Sequence, residues 1–501
     1  MANSVSGGPK DPAPTALNAR PATSTTTATA VGTNTPAVPT RRGTELALLA
    51  FAAFLTTGAN ILVELNQEQS LTQQLLFYGL AYLGLFSVAH GAVRLFAPYA
   101  DPLILPCVAL LNGLGLVMIH RIDLGNAEKA LQEGKETIPS AAAPKQIMWT
   151  AIALGLFIAV LVLVRDHRTL SRYGYTAGLV GLVALALPGL LPRSLSEVNG
   201  AKIWLRLGIF SIQPGEFAKI LLMVFFAAFL VSKRDLFMSA GKRFLGMEFP
   251  RARDLAPLLV TWGLSVGVLV LEKDLGTSLL FFGIVLVMLY IATERAVWLV
   301  LGLSIFAAGC LVAYQLFDHL KVRVKAWQDP FADYYDSGWQ LANGLFGLGS
   351  GGIIGTGLGA GHPHHVQFAN SDFIISSLGE ELGLIGLAAI LMLYLLLATR
   401  GLRSALAVRD SFGKLLGGGL SFALALQVFV VVGGVTKLIP LTGLTAPFLS
   451  HGGSSLVANY ALVALLLRIS DSARRPITPS RPKPQQAPIA EAHTVLVERP
   501  R

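Results

Sequence analysis

Three carboxylates fall within ten residues, in Ser371-Asp372-Phe373-Ile374-Ile375 followed by Gly379-Glu380-Glu381-Leu382-Gly383. The stretch closes a long polar loop and opens an apolar run that ends at Arg400. Membranes penalise carboxylates, so acids at the lip of a spanning helix are candidates for proton transfer or for contact with a polar substrate head. Two blander roles compete: solvation of a helix end and complement to the helix dipole. An unbroken helix from Glu380 to Arg400 would measure ~30 Å, one hydrocarbon thickness, and would put Asp372 at most ~12 Å further out, at headgroup height.

Other charges fall at predicted helix lips. Glu216 and Lys219 stand three apart on one helix face, Lys273 and Asp274 follow Glu272, and Lys437 ends another run. Ser450-His451-Gly452-Gly453-Ser454-Ser455 opens the last run, and Lys202 and Arg206 lie in the polar segment before Glu216. Each alone reads equally as an interfacial anchor. Together they gather acids and cations on one membrane face, which suits a phosphate-bearing substrate in the outer leaflet. Eight glycines between Gly347 and Gly361 suggest a tight-turn scaffold, since no Gly-Lys-Ser/Thr follows to make a nucleotide cradle. His362, His364 and His365 could ligate a metal, although a solvated loop is the commoner outcome for such a cluster.

The elements that must position these groups are membrane helices. Of 501 residues, 53% are hydrophobic and 14% charged, against about a quarter charged in soluble proteins. The chain is expected to be an all-α polytopic membrane protein. About twelve runs approach the ~20 residues a span needs: near 44–63, 75–96, 101–119, 147–164, 173–192, 217–232, 255–271, 277–293, 297–316, 376–399, 415–436 and 453–469. Lys and Arg crowd alternate short loops, which puts both termini in the cytoplasm and 317–375 outside. The net charge of +10 is read through that asymmetry, and no nucleic-acid partner is expected. Residues 1–43 and 471–501 read as disordered tails, 44–96 as two N-terminal spans, and 97–470 as a core. Residues 120–146 read as a solvated outer loop. The aromatic loop 317–375 is expected to fold back onto the outer face. Cys107 and Cys310 sit in apolar runs and read as packing residues.

At these positions the chain resembles the SEDS family of peptidoglycan polymerases (RodA, FtsW, SpoVE), most closely its actinobacterial RodA-like members, which carry extra N-terminal spans. The resemblance covers about residues 100–470. It rests on Asn199-Gly200-Ala201-Lys202-Ile203-Trp204, Gln213-Pro214-Gly215-Glu216-Phe217-Ala218-Lys219, Lys273-Asp274-Leu275-Gly276-Thr277 and Asp329-Pro330-Phe331. It continues through Gly351-Gly352-Ile353-Ile354-Gly355-Thr356-Gly357-Leu358-Gly359, the acidic stretch, Pro440-Leu441-Thr442-Gly443 and the Ser450–Ser455 motif. Gly215, His451 and Ser211 depart from the usual residues, and the family's Pro-Glu is missing around Phe368-Ala369-Asn370.

The resemblance implies joining of lipid II, an undecaprenyl-pyrophosphate-linked disaccharide pentapeptide, into glycan outside the cytoplasmic membrane during elongation. It maps the catalytic aspartate onto Asp372 and implies a class B penicillin-binding protein as crosslinking partner. An α-linked donor giving a β bond calls for one inverting displacement and one base. Pyrophosphate leaves readily once its charge is countered, by Lys202, Arg206, Lys219, Lys273 or Lys437, or by a divalent cation such as Mg or Mn. Glu216, Asp274, Glu380, Glu381 and Ser454 complete the expected substrate-binding set. Two rival readings are a flippase for lipid-linked precursors and a non-catalytic scaffold. The first would place charges near mid-membrane in repeat-related broken helices, and the second would make the outer acids dispensable.

Overall fold

Apolar runs become helices here because a bilayer offers backbone groups no water to pair with. The computed structural model describes residues 40–476, apart from 69–72, 136, 138, 199, 209, 235–241, 245, 246, 250 and 251. Both expected tails therefore lie largely outside the described residues. The long helices are α1 Arg42–Asn66, α2 Gln73–Phe96, α3 Ile104–Gln132, α4 Ala143–Leu163 and α5 Gly174–Leu190. A short α6 Arg193–Ser196 precedes two small hairpins, β1–β2 (Glu197 opposite Lys202) and β3–β4 (Leu205 opposite Ile212). Then come α7 Pro214–Ser232, the hairpin β5–β6 (Lys242 opposite Phe249), α8 Ala252–Leu271, α9 Leu275–Thr293 and α10 Val297–Leu316. Helices α11 Asp318–Gln328 and α12 Trp339–Gly351 lie in the long loop, and α13 Ile374–Ala407, α14 Ser411–Val435 and α15 Gly453–Arg474 close the chain.

Among the described residues eleven helices are long and apolar enough to cross a membrane, with Ala256–Leu271 of α8 a shorter apolar one. Those twelve segments match the expected runs. Several ends differ: α7 starts at Pro214, and α15 continues to Arg474 into what was expected to be tail. The larger correction is α3. It stays helical to Gln132, so residues 120–132 are not a solvated loop. His120, Arg121 and Asp123 made the stretch look polar, but each has an internal partner: Glu64 at 2.8 Å, Glu381 at 3.0 Å, and the backbone N–H groups of Ala142 and Ala143.

The core follows the inverted logic of a protein dissolved in lipid. α15 is the least apolar of the eleven spans yet 94% of its most apolar window is buried, whereas α10 is strongly apolar and 11% buried. Polar side chains of α15 such as Asn459, Ser470 and Asp471 are hidden between helices, while α10 shows its leucines and valines to the surroundings. Close helix packing uses small residues. Along α5, a Cβ at Gly174 would lie 2.6 Å from Ala228 of α7 and one at Gly178 would lie 2.8 Å from Phe225.

α13 is not one helix. Gly383 (φ 67°, ψ −171°) interrupts it, so the unbroken-helix depth estimate for Glu380 and Asp372 does not hold. The break is satisfied by the glycine-rich loop. Thr356 and Gly357 donate their N–H groups to the carbonyls of Glu380 and Glu381, both at 3.0 Å, while Leu384 and Ile385 donate to Gly352 and Ile353 at 3.0 and 3.1 Å. Irregular backbone at membrane depth is tolerable where protein covers it in this way. A Cβ on Gly383 would collide with the backbone of Ile354 and Gly355, so the loop's glycines serve this close approach. Gly347, Gly349 and Gly351 instead lie inside α12.

Candidate active site

Asp372 immediately precedes α13, in a turn clamped from both sides. Ser450 Oγ donates to the Ser371 carbonyl at 2.6 Å, the His451 N–H donates to the Asn370 carbonyl at 2.7 Å, and Phe373 is wholly buried against Gly344 of α12. Ser377, one turn into α13, reaches back to the Ala369 carbonyl at 3.2 Å. The Ser450–Ser455 motif thus holds the carboxylate's backbone in place.

Opposite Asp372 lies the Pro440–Gly443 turn. Gly443 adopts φ 75°, and a Cβ there would sit 3.8 Å from Asp372 Oδ2. Arg323 of α11 anchors this turn, donating through Nη1 to the carbonyls of Leu441 (3.1 Å) and Thr442 (3.4 Å). One helical turn on, Trp327 Nε1 donates to the Lys437 carbonyl at 3.0 Å. The Arg323 guanidinium is drawn down by burial and held up by two carboxylates, Asp274 and Asp372. Burial pushes the half-buried Asp372 carboxyl up to about 7, with Ser371 and Arg323 pulling the other way. A carboxylate titrating near neutrality beside a fixed cation can take a proton and face an anion.

The polar seam continues behind this pair. Asp274 caps α9, accepting from the Thr277 N–H at 3.0 Å, and its Oδ2 accepts from Gln213 Nε2 at 3.4 Å. Burial raises the Asp274 carboxyl, opposed by its hydrogen bonds with Thr277 and by Arg323. The Gln213 N–H donates to Ser454 Oγ at 2.9 Å. Just inside α7, Lys219 Nζ meets Glu216 Oε2 at 2.6 Å and Gln427 Oε1 at 3.1 Å, and Gln427 donates to the Thr445 carbonyl at 2.9 Å. Lys219 is therefore a buried, paired cation rather than an interfacial anchor. Nearby Glu272 accepts from the Gly189 N–H at 3.0 Å, and its carboxyl is pushed by burial up to about 8.

The structure joins Asp372, Asp274, Glu216, Lys219 and Ser454 into this seam and leaves other expected residues outside it. Glu381 pairs with buried Arg121 at 3.0 Å and accepts from the Gly359 N–H at 3.0 Å; Glu380 accepts from the His362 N–H at 2.6 Å. Both acids pin the glycine-rich loop to α13. Lys202 is half-buried on β2, Arg206 is exposed on β3, Lys273 is exposed, and Lys437 is half-buried at φ 62°. The three histidine rings cluster, with centroids 4.5–5.9 Å apart. Burial and neighbouring cations push His364 down to about 4. Among the described residues no three His, Cys, Asp or Glu side chains converge to hold a metal. Arg323, Gln213 and Gln427 were missed. The i,i+4 spacing of Arg323 and Trp327, which puts both on one helix face in a mixed-charge segment, was the signal that could have exposed α11 as a docked helix.

A family model described as a cell cycle protein, the FtsW/RodA/SpoVE group, matches residues 102–475. The chain belongs to this family. It is 58% identical over 465 residues to the peptidoglycan glycosyltransferase RodA of Mycobacterium tuberculosis (strain ATCC 25618 / H37Rv), covering 93% of this chain and 97% of that one. Among solved structures, one from a study of how a peptidoglycan synthase complex coordinates polymerisation and crosslinking aligns with a TM-score of 0.57 at 27% identity, covering 74% of this chain and 97% of the other. The rod shape determining protein RodA of Thermus thermophilus aligns at TM-score 0.51 and 26% identity, covering 75% and 98%. Family membership and the apolar spans make this a multi-pass protein of the cytoplasmic membrane. The two helices α1 and α2 precede the family match, packing on α3 and α4.

Proposed function

We infer that this protein is a peptidoglycan glycosyltransferase that joins lipid II units, with Asp372 as the general base. The observation that carries the assignment is the placement of Asp372 at the Pro440–Gly443 turn: its Oδ2 lies 3.8 Å from where a Gly443 Cβ would sit, and the Leu441 and Thr442 carbonyls of the same turn hold the Arg323 guanidinium. In the reaction, Asp372 takes the proton from the acceptor sugar hydroxyl. The hydroxyl oxygen bonds to the donor's anomeric carbon from the face opposite the pyrophosphate, and the bond to pyrophosphate breaks with its electron pair. A single displacement inverts the centre. Asp372 then returns its proton to solvent.

Arg323 is the cation best placed to oppose the charge developing on the leaving group. The Glu216–Lys219–Gln427 cluster holds α7 against α14 behind it, and Asp274 is a second carboxylate in the field of Arg323. No three His, Cys, Asp or Glu side chains converge among the described residues, so Mg²⁺ or Mn²⁺ would be held by one or two carboxylates of the seam together with substrate oxygens. Such an ion would arrive with the substrate's phosphates, as Mg²⁺ commonly does, and no step here depends on it.

The acceptor side of the membrane is taken to be the outer one, with both termini cytoplasmic and 317–375 outside. The Lys/Arg asymmetry of the short loops supports this. A class B penicillin-binding protein is proposed as the crosslinking partner. The kinship to a chain from a peptidoglycan synthase complex supports that reading. Purified protein given labelled lipid II separates the possibilities. Glycan polymer is the expected product; lipid translocation without polymer, or neither, refutes the assignment.

A further inference from the structure

At the opposite end of the bundle from Asp372, arginines converge on one pocket of about 220 Å³. It is lined by Arg165, Arg168, Arg409, Arg468 and Arg475, with His167 at its wall, from the ends of α4 and α15, the turn before α5 and the α13–α14 connection. Two acids also line it, and both are engaged. Asp471 accepts from the Tyr99 N–H at 2.8 Å and from Arg475 at 2.8 Å, and Asp166 accepts from the Arg168 N–H at 3.0 Å. Just outside, Asp410 is shared by His167 (2.8 Å) and Arg168 (3.2 Å).

Two arginines are left without a carboxylate. Arg165 and Arg409 are exposed and make no ion pair among the described residues. Arg468 is 5% exposed. Its terminal nitrogens bond the carbonyls of Phe96 and Leu161 at the ends of α2 and α4, and its Nε–H is buried with no hydrogen-bond partner. Arginines gathered in one pocket with only two acids among them, both engaged, favour an anion there. The pocket lies where membrane helices end, at the level of lipid headgroups, and basic pockets between spans at that level take phosphate-bearing headgroups.

We propose that this pocket binds the phosphate of an anionic phospholipid, held by Arg165 and Arg409, with the buried charge of Arg468 beneath them. On the orientation given above, this is a lipid of the cytoplasmic leaflet. The binding itself does not depend on that orientation or on the glycosyltransferase reading, because it is measured on purified protein at the end away from Asp372.

The test compares the full chain with the double variant Arg165→Gln/Arg409→Gln, whose side chains are exposed and unpaired, so the fold survives their loss. Each protein is stripped in neutral detergent and offered equal phosphatidylglycerol and phosphatidylcholine; retained lipid is counted by native mass spectrometry and thermal stability is followed. The wild type should retain phosphatidylglycerol preferentially and be stabilised by it, and losing two arginines should cut that preference about tenfold or more. Inorganic phosphate at millimolar concentration should not displace the lipid. Equal retention by the variant overturns the proposal. So does displacement and equal stabilisation by inorganic phosphate, which would make the ligand a free anion rather than a lipid.

Discussion

Replacing Arg323 by Gln and by Lys separates the charge of the site from its hydrogen bonds. Both side chains lack the guanidinium Nη1 that reaches the Leu441 and Thr442 carbonyls, and only Gln also removes the charge near Asp372 and Asp274. With the Asp372 carboxyl at about 7, roughly half is ionised at pH 7, and activity should climb through neutrality as the base is freed. A nearby cation lowers a carboxyl by ~1–3 units. Arg323 is the smallest of the causes acting on Asp372, behind burial and the Ser371 hydrogen bond, which favours the low end of that range. A rise of ~1 unit leaves about a tenth ionised at pH 7, so the variant should lose about fivefold from this cause and regain it near pH 9. The further loss from weaker leaving-group stabilisation should be independent of pH. Polymer formation from lipid II, followed from about pH 5.5 to 9, gives both components. Arg323→Lys, which keeps the charge, should leave the acid limb close to the wild type. An acid limb in Arg323→Gln that does not move would refute the coupling of these two groups.

Two further outcomes follow from the same geometry and a third from the Lys/Arg asymmetry of the loops. Lys219→Met should cost about 3–5 kcal/mol by leaving Glu216 buried without its cation, and adding Glu216→Gln should recover most of that in thermal unfolding. Gly383→Ala should destabilise by at least ~1–3 kcal/mol, because the left-handed backbone there and the contact with Ile354 and Gly355 leave no room for a methyl group; native-like thermal stability would contradict the described break in α13. Cysteines placed at Ser337 and Ser480 should react with an impermeant thiol reagent from outside and not from outside, respectively, in intact cells; the reverse would invert the proposed topology.

The spans were legible because lipid selects long apolar runs, and Asp372 stood out as a candidate because a carboxylate at such a lip is costly without a use. What hid from the sequence was polar material satisfied at long range. His120, Arg121 and Asp123 read as a loop since their partners Glu64, Glu381 and Ala142–Ala143 lie far along the chain. Glu380 and Glu381 read as substrate ligands for the same reason, whereas the structure commits both to the glycine-rich loop. The break at Gly383 is imposed by that loop, and one glycine in an apolar run does not announce it. Arg323 was overlooked because the segment 318–328 has too little apolar pattern to reveal a helix, and its place is fixed by carbonyls more than a hundred residues away.

Asp372→Asn tests the central claim most directly. The amide keeps the shape of the side chain and cannot accept the proton. Because the folded protein holds the Asp372 carboxyl above its ordinary value of 3.8, the native state favours the protonated form, and stability falls as pH rises from 3.8 through about 7. A neutral Asn escapes that cost, so at pH 8 the variant should melt no lower than the wild type. Loss of a general base costs ~10²–10⁴ in rate. A well-folded Asp372→Asn protein that forms glycan from lipid II at less than about a hundredth of the wild-type rate is the predicted result. Polymerisation at the wild-type rate by the same folded protein would contradict the account.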